Sequence, residues 1–165
     1  MALQDEIESR AKQIHTDGYS LSIGELMSLY KDNEIDIHPE FQRFFRWSPI
    51  QKSKLIESIL LGIPIPPIFV SQREDGVWDV IDGLQRLSTI LEFAGILRDT
   101  DNNEKPPSVL NGTEYLPSLE GKYWQNDEDL PNSFDLTQRL FIKRSKLGVQ
   151  IIKKESDKDT KFELF

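Results

Sequence analysis

The turn at residues 81–86, with the sequence IDGLQR, has the residue types of an anion-binding site. It lies between an apolar run that predicts a β-strand and a helical pattern that begins at Gln85. The first backbone N–H groups of a helix have no partner within the helix and carry the positive end of its dipole. Gly83 has no Cβ, so a phosphate could approach the backbone closely. The spacing therefore predicts a phosphate site at this turn.

The side chains around the turn could complete such a site. Arg86 can direct a planar fork of donors at phosphate oxygens, and Ser88 and Thr89 add hydroxyl groups. Gln85 could orient a water or a phosphate oxygen. Asp82 is the carboxylate best placed to hold Mg²⁺ or to accept a proton from an attacking water. Asp-Gly is also a common turn dipeptide, so Asp82 could merely cap the next helix, and Arg86 could be a solvated surface residue.

A second group of aromatic and basic residues lies in the loop before residue 48. It contains Gln42 and Arg43, and Arg43 is as compatible with a surface salt bridge as with phosphate binding. Phe41 and Trp47 are predicted to pack in the core, although Trp47 could also stack on a base.

Local sequence signals predict the elements that position these two groups. Ser48 followed by proline starts a helix that Gly62 ends, and Ser22 with Glu25 predicts a capping box for an earlier short helix. The other predicted helices are an arm over 3–14, a helix that begins at 85, one over 135–147 and one that begins at 157. Strands are predicted over 34–37, 68–71, 77–81 and 148–153, with a hairpin turn over 73–76. The last helical pattern stops at Phe165, so we expect the natural protein to continue.

Composition limits the class of protein. The chain has 165 residues, which suffices for one compact domain with an appended subdomain. Its apolar runs are too short to cross a membrane and its N-terminus is acidic, so we expect a cytoplasmic protein. With no cysteine and two histidines, a zinc site is not expected. A net charge of −8 opposes non-specific attraction to DNA but leaves room for a small anion in a local pocket.

Three motifs in order resemble those of the GmrSD-type restriction endonuclease N-terminal domain, which carries a DGQQR motif. They are a Pro39-x-x-Gln42-Arg43 loop followed by Trp47, the segment 54–68, and residues 81–90. The resemblance implies an α/β (α+β) fold of the ParB/sulfiredoxin-like kind, with a small mixed sheet, packed helices and a mostly helical C-terminal extension. The implied divisions are an N-terminal arm over 1–19, the ParB-like domain over 20–97 and the extension over 98–165.

The resemblance also implies a function. Family members couple NTP binding or hydrolysis to a separate nuclease domain, so the expected ligand is GTP or ATP with Mg²⁺. Asp82, Gly83, Gln85 and Arg86 would form the nucleotide motif, with Arg43 approaching from the other loop. Leu84 stands where the motif has its first glutamine, so binding could survive while turnover is slow or lost. DNA would be reached through a separate nuclease domain or partner, and the oligomeric state is left open.

Three hypotheses follow for the function of the chain. The first is an NTP-binding regulatory domain of a modification-dependent restriction or anti-phage defence protein, with hydrolysis left open. The second is a non-catalytic module that contacts the DNA backbone or a partner through a local basic face formed by Arg43, Arg46, Lys52 and Lys54. The third is a structural remnant in which Asp82 only caps a helix. No nuclease activity is expected from this chain alone.

Overall fold

The fold is a five-stranded mixed sheet with five α-helices in the residues that the structure describes. The structure is a computed structural model that describes residues 2–11, 16–38 and 46–152. Its elements are α1 (Leu3–Ala11), β1 (Thr16–Ser22), α2 (Ile23–Lys31), β2 (Ile35–Asp36), α3 (Pro49–Leu61), β3 (Ile68–Gln72), β4 (Trp78–Asp82), α4 (Leu84–Phe93), α5 (Leu136–Arg144) and β5 (Lys146–Ile152). Within these ranges, no helix combines the length and the apolar character needed to cross a bilayer. The predicted α/β class is confirmed.

The strands lie in the order β1, β5, β3, β4, β2. β1 pairs antiparallel with β5, and β3 pairs antiparallel with β4. The other two pairings, β5 with β3 and β2 with β4, are parallel. β3 and β4 form the predicted hairpin, whose turn is closed by a hydrogen bond from the Arg73 N–H to the Val77 carbonyl oxygen, 2.8 Å. This hairpin delivers the chain to the glycine turn.

α3 begins and ends where its sequence predicts. The Ser48 hydroxyl accepts a hydrogen bond from the Gln51 N–H, and the Gln51 side chain accepts one from the Ser48 N–H, which completes a capping box. Pro49 occupies the first turn, where its missing N–H costs nothing. Gly62 ends the helix with φ 73°, in the left-handed region that glycine adopts without steric cost. α3 is thereby fixed at both ends beside α4.

Replacing Ser48 with alanine should lower the free energy of unfolding by about 1 kcal/mol, because the Gln51 N–H loses its acceptor. Ser48→Asp is the matched control, since a carboxylate can cap the same N–H group and should retain most of the stability. Urea denaturation of the three proteins measures the difference. Equal stability of the alanine and aspartate variants would contradict a capping role.

The N-terminal segment confirms one prediction and corrects two. The predicted helical arm is present as α1, and residues 2–9 are all exposed, whereas residues 12–15 lie outside the described part. Strand β1 was not predicted, because its sequence TDGYSLS has few apolar residues. Ser22 does cap α2, but the Glu25 carboxylate accepts from the Ser22 hydroxyl at 3.0 Å instead of from the backbone of a full capping box.

The core is shared between the first hundred residues and the segment that follows them. The fully buried Phe93 of α4 makes edge contacts with the rings of Trp124 and Phe134, at centroid distances of 5.8 and 5.1 Å. β5 lies between β1 and β3 in the sheet. Over residues 98–152 the only α-helix is α5, so the mostly helical extension is not confirmed. The domain boundary at residue 97 stays a prediction, and the helix from residue 157 lies outside the described residues.

Candidate functional site

Gly83 forms the turn between β4 and α4 in a conformation that favours glycine. Its φ and ψ angles are 90° and 16°, in the left-handed region. A Cβ at this position would lie 2.5 Å from Cγ2 of the buried Ile68 and 2.9 Å from Nη2 of Arg86. As the residue before the helix, Gly83 has no side chain to cap the first N–H groups of α4. The turn is therefore close-packed on its β3 side and lacks an acceptor from its own cap residue.

The Arg86 side chain makes its contacts with other residues of the chain. Its Nη2 donates to the Pro67 carbonyl oxygen at 2.8 Å and lies 3.9 Å from Oδ2 of Asp82. The Arg86 side chain is 17% exposed, and its Nε is buried with no hydrogen-bond partner among the described residues. Asp82 is 52% exposed at the end of β4. In this arrangement Arg86 joins the glycine turn to the start of β3.

The predicted residues Gln85, Ser88 and Thr89 lie together, because residues three and four apart share one face of a helix. They line a cavity of about 60 Å³ with three basic side chains and Glu92. The basic residues are Arg46, Lys52 and Lys105. We call this space the phosphate cavity, after the ligand that we propose for it below. Three cations and one carboxylate make it locally positive in a chain of net charge −8.

Ser88 contributes a buried hydroxyl group to the lining of the phosphate cavity. The residue is 7% exposed, and its Oγ makes no hydrogen bond within the part of the chain that the structure describes. An unsatisfied buried hydroxyl is unfavourable by about 1–3 kcal/mol, and such groups are uncommon in native proteins. The Oγ of Ser88 has almost no accessible surface, so a bound oxyanion would satisfy it after the side chain rotates towards the cavity. Lys52 already has a partner, since its Nζ lies 2.7 Å from Oε1 of Glu92.

Gln85 links the phosphate cavity to the segment before α3. Its Oε1 accepts a hydrogen bond from the backbone N–H of Trp47 at 3.1 Å. Trp47 itself is half-buried and packs against the core, as predicted. The adjacent Arg46 lines the cavity. The predicted ligands Gln42 and Arg43 belong to residues 39–45, outside the described part, as does Phe41.

The structure thus divides the predicted site residues into two sets. Gln85, Ser88 and Thr89 line the phosphate cavity, whereas Asp82, Gly83 and Arg86 are not among its lining residues. Sequence reasoning had placed Arg46 and Lys52 only on an alternative DNA-binding face, and it missed Lys105. Lys105 lies in a polar loop with no periodic pattern, so no local signal could have identified it.

A second polar cluster, Asp36, His38, Arg73 and Asp79, was missed by the sequence analysis. Within the described ranges, Asp36, His38 and Asp79 are the one group of acidic and imidazole donors close enough to hold a metal ion. Arg73 already bridges the two carboxylates, with Nη2 to Asp36 Oδ2 at 2.8 Å and Nε to Asp79 Oδ2 at 2.9 Å. As it stands, the cluster is a salt-bridge network.

Two pKa values in this network are displaced in the directions expected for ion pairs. Burial alone would raise the pKa of the Asp79 carboxyl, but hydrogen bonds from Arg73 and His38, aided by their charges, lower it overall. Hydrogen bonds to Asp79 and then to Asp36 raise the pKa of the Arg73 guanidinium above its ordinary value. The network therefore stabilises the charged forms of Asp79 and Arg73.

A comparison with models of protein families identifies the family of this chain. The model described as GmrSD restriction endonuclease, N-terminal domain, matches residues 23–165. The chain belongs to this family. No curated protein and no solved structure matches it.

In this GmrSD N-terminal domain, Leu84 has a packing role. Leu84 stands where the DGQQR motif has its first glutamine, and its side chain is half-buried against the hydrophobic core. It is the first residue of α4 and is not among the residues that line the phosphate cavity. The departure from the motif therefore adds apolar contact at the start of α4.

Proposed function

We propose that this GmrSD N-terminal domain binds a nucleoside triphosphate, GTP or ATP, as the regulatory domain of a cytoplasmic restriction or anti-phage defence protein. The observation that carries the proposal is the phosphate cavity, with its excess of cations and the unsatisfied hydroxyl of Ser88. Membership of a restriction endonuclease family supports the wider role. DNA would be contacted by a separate nuclease domain or partner, and the sheet arrangement would be ParB-like.

The phosphates would lie along the first two turns of α4, beside the glycine turn. Arg46 and Lys105 would supply charge, Ser88 and Thr89 would supply hydroxyl groups, and the positive end of the α4 dipole would add to the attraction. Asp82, half exposed at the end of β4, is the proposed Mg²⁺ ligand, and Gln85 would position a water if the nucleotide is hydrolysed. Arg86 would act by holding the turn in place through Pro67.

Calorimetric titration of the protein with GTP and with ATP, in the presence of Mg²⁺, tests the proposal. A double variant with Arg46→Ala and Lys105→Ala should bind at least about tenfold more weakly, because it removes two of the three cations. Lys54→Ala is the matched control, since Lys54 is exposed on α3 and does not line the cavity. Failure of the wild type to bind, or equal binding by the double variant, would contradict the proposal.

Titration of the same variants with DNA tests the DNA-binding alternative. A module that contacts the DNA backbone would bind DNA without nucleotide, and its affinity would fall steeply as the salt concentration rises. Lys54→Ala would then weaken binding as well, because an exposed lysine of this segment could reach a DNA phosphate.

Ser88→Ala should weaken nucleotide binding about threefold to tenfold without lowering the free energy of unfolding. The binding loss corresponds to one hydrogen bond of about 0.5–1.5 kcal/mol, whereas the unliganded protein loses only an unsatisfied hydroxyl. Calorimetry and urea denaturation of the same sample measure the two effects.

Ser53→Ala provides the contrasting control for this prediction. The Ser53 hydroxyl is equally buried but donates to the Pro49 carbonyl oxygen and accepts from the Asn111 N–H. Loss of the Ser53 hydroxyl should lower the free energy of unfolding by about 1–2 kcal/mol. If Ser88→Ala destabilises the protein as much as Ser53→Ala does, Ser88 has a structural partner and the binding argument fails.

A further inference from the structure

A second, mainly apolar cavity continues from the phosphate cavity. Its volume is about 410 Å³, and its apolar walls are Pro49, Ile56, Phe93, Pro106, Pro107, Val109 and Leu110. Lys52, Thr89, Glu92 and Lys105 line both cavities. We call it the apolar cavity. The two cavities adjoin at these four shared residues, and the basic Lys52 and Lys105 lie between them.

We infer that the apolar cavity holds the base of the nucleotide whose phosphates lie in the phosphate cavity. This inference rests on the proposed function. A ligand that fills both cavities must carry negative charge at one end and an apolar group at the other, and a nucleotide has both. Sites for small ligands are usually about 300–1,000 Å³ and mostly apolar, with a few polar groups. The apolar cavity falls in this range.

The walls of the apolar cavity suit a flat ring. Phe93 is held rigidly by its edge contacts with Trp124 and Phe134, and two consecutive prolines, Pro106 and Pro107, also line the cavity and form part of its rim. The rim is held by backbone hydrogen bonds from Lys105 to the Leu97 carbonyl oxygen at 2.7 Å and from Ser108 to the Glu92 carbonyl oxygen at 3.3 Å. A preformed wall of this kind reduces the entropy lost on binding.

The residues shared by the two cavities suit the ribose of the nucleotide. Glu92 is the one carboxylate that lines the phosphate cavity, where it would repel a phosphate placed directly against it. Its charge is balanced by Lys52 through Oε1, at 2.7 Å. Oε2 of Glu92 can accept a hydrogen bond from a ribose hydroxyl, which is the group that lies between the phosphates and the base.

Binding of inorganic tripolyphosphate, compared with binding of ATP and GTP, tests the base site. The wild type should bind the nucleotides at least about tenfold more tightly than tripolyphosphate, because only they reach the apolar cavity. Val109→Asn should weaken nucleotide binding about threefold to tenfold and leave tripolyphosphate binding unchanged, since the new side chain is neutral. Val109 is 42% exposed, so the variant should fold, and Ile63→Asn, at a site 45% exposed and outside both cavities, is the matched control.

The outcomes separate this inference from the proposed function. Equal affinity for nucleotides and tripolyphosphate, with no effect of Val109→Asn, would overturn the base site and leave the phosphate site standing. Absence of binding for all three ligands would overturn both. A third arm uses farnesyl diphosphate, and if it binds more tightly than the nucleotides and is weakened by Val109→Asn, the apolar cavity accepts a hydrocarbon chain and the base assignment is wrong.

Discussion

Gly83→Ala is expected to lower the free energy of unfolding by about 3 kcal/mol. An alanine at φ 90° lies in the left-handed region, which costs about 1–2 kcal/mol. Its Cβ would also lie 2.5 Å from Cγ2 of Ile68, a residue with no exposed surface that cannot move aside without disturbing the core. Urea denaturation followed by circular dichroism measures the loss.

Gly76→Ala is the matched control for this effect. Gly76 has φ 92°, nearly the same as Gly83, but a Cβ there would meet no atom within 4 Å. It should therefore show the conformational cost alone, about 1–2 kcal/mol. The excess loss in Gly83→Ala then measures the steric contacts with Ile68 and Arg86. If the two variants are equally destabilised, the contacts relax freely and the turn is less tightly packed than its geometry indicates.

The elements determined by local chemistry were predicted well. The proline after Ser48, the glycine at 62 and the turn residues 73–76 each favour one backbone conformation, and α3 and the hairpin follow. β1 was missed because an edge strand with one exposed tyrosine has little apolar alternation. Its partner β5 is more than a hundred residues away, and nothing in either sequence specifies that pairing.

The candidate site was predicted as a local motif and missed where it depends on distant contacts. The glycine turn and the helix after it were expected, but a motif cannot show that Arg86 is directed towards Pro67 while Ser88 lines a cavity. Lys105 reaches that cavity from an irregular loop. His38 was assigned to no site, because Asp79, which its Nε2 contacts at 2.8 Å, is 41 positions away in the sequence.

Arg73→Met is expected to lower the free energy of unfolding by about 2 kcal/mol at pH 7, with a smaller loss in acid. The variant removes charged hydrogen bonds to Asp36 and Asp79, each worth about 1.5–3 kcal/mol when buried and less here because the groups are partly exposed. Lys54→Met is the matched control, since it removes the same charge from an exposed position of α3. Urea denaturation at several pH values measures the difference.

The sign of the pH dependence follows from the lowered pKa of the Asp79 carboxyl. A carboxyl whose pKa is lower in the folded protein than the ordinary 3.8 stabilises the fold at higher pH, and this contribution is lost as the pH falls through the folded value. In the Arg73→Met variant, the pKa of the Asp79 carboxyl loses most of this lowering. The stability of the variant should therefore approach that of the wild type as the pH falls below about 4. A deficit that stays constant from pH 7 to pH 2.5 would contradict an electrostatic origin.

The stability lost in Arg73→Met should be recovered by removing the negative charges of Asp36 and Asp79. Asp36 and Asp79 are paired residues on the parallel strands β2 and β4, so without Arg73 two carboxylates lie side by side. Like charges on paired strand positions repel. Adding Asp36→Asn and Asp79→Asn to Arg73→Met should therefore restore more than half of the lost stability at pH 7. If the triple variant is no more stable than Arg73→Met, then packing by the arginine stem, and not charge, joins the hairpin to β2.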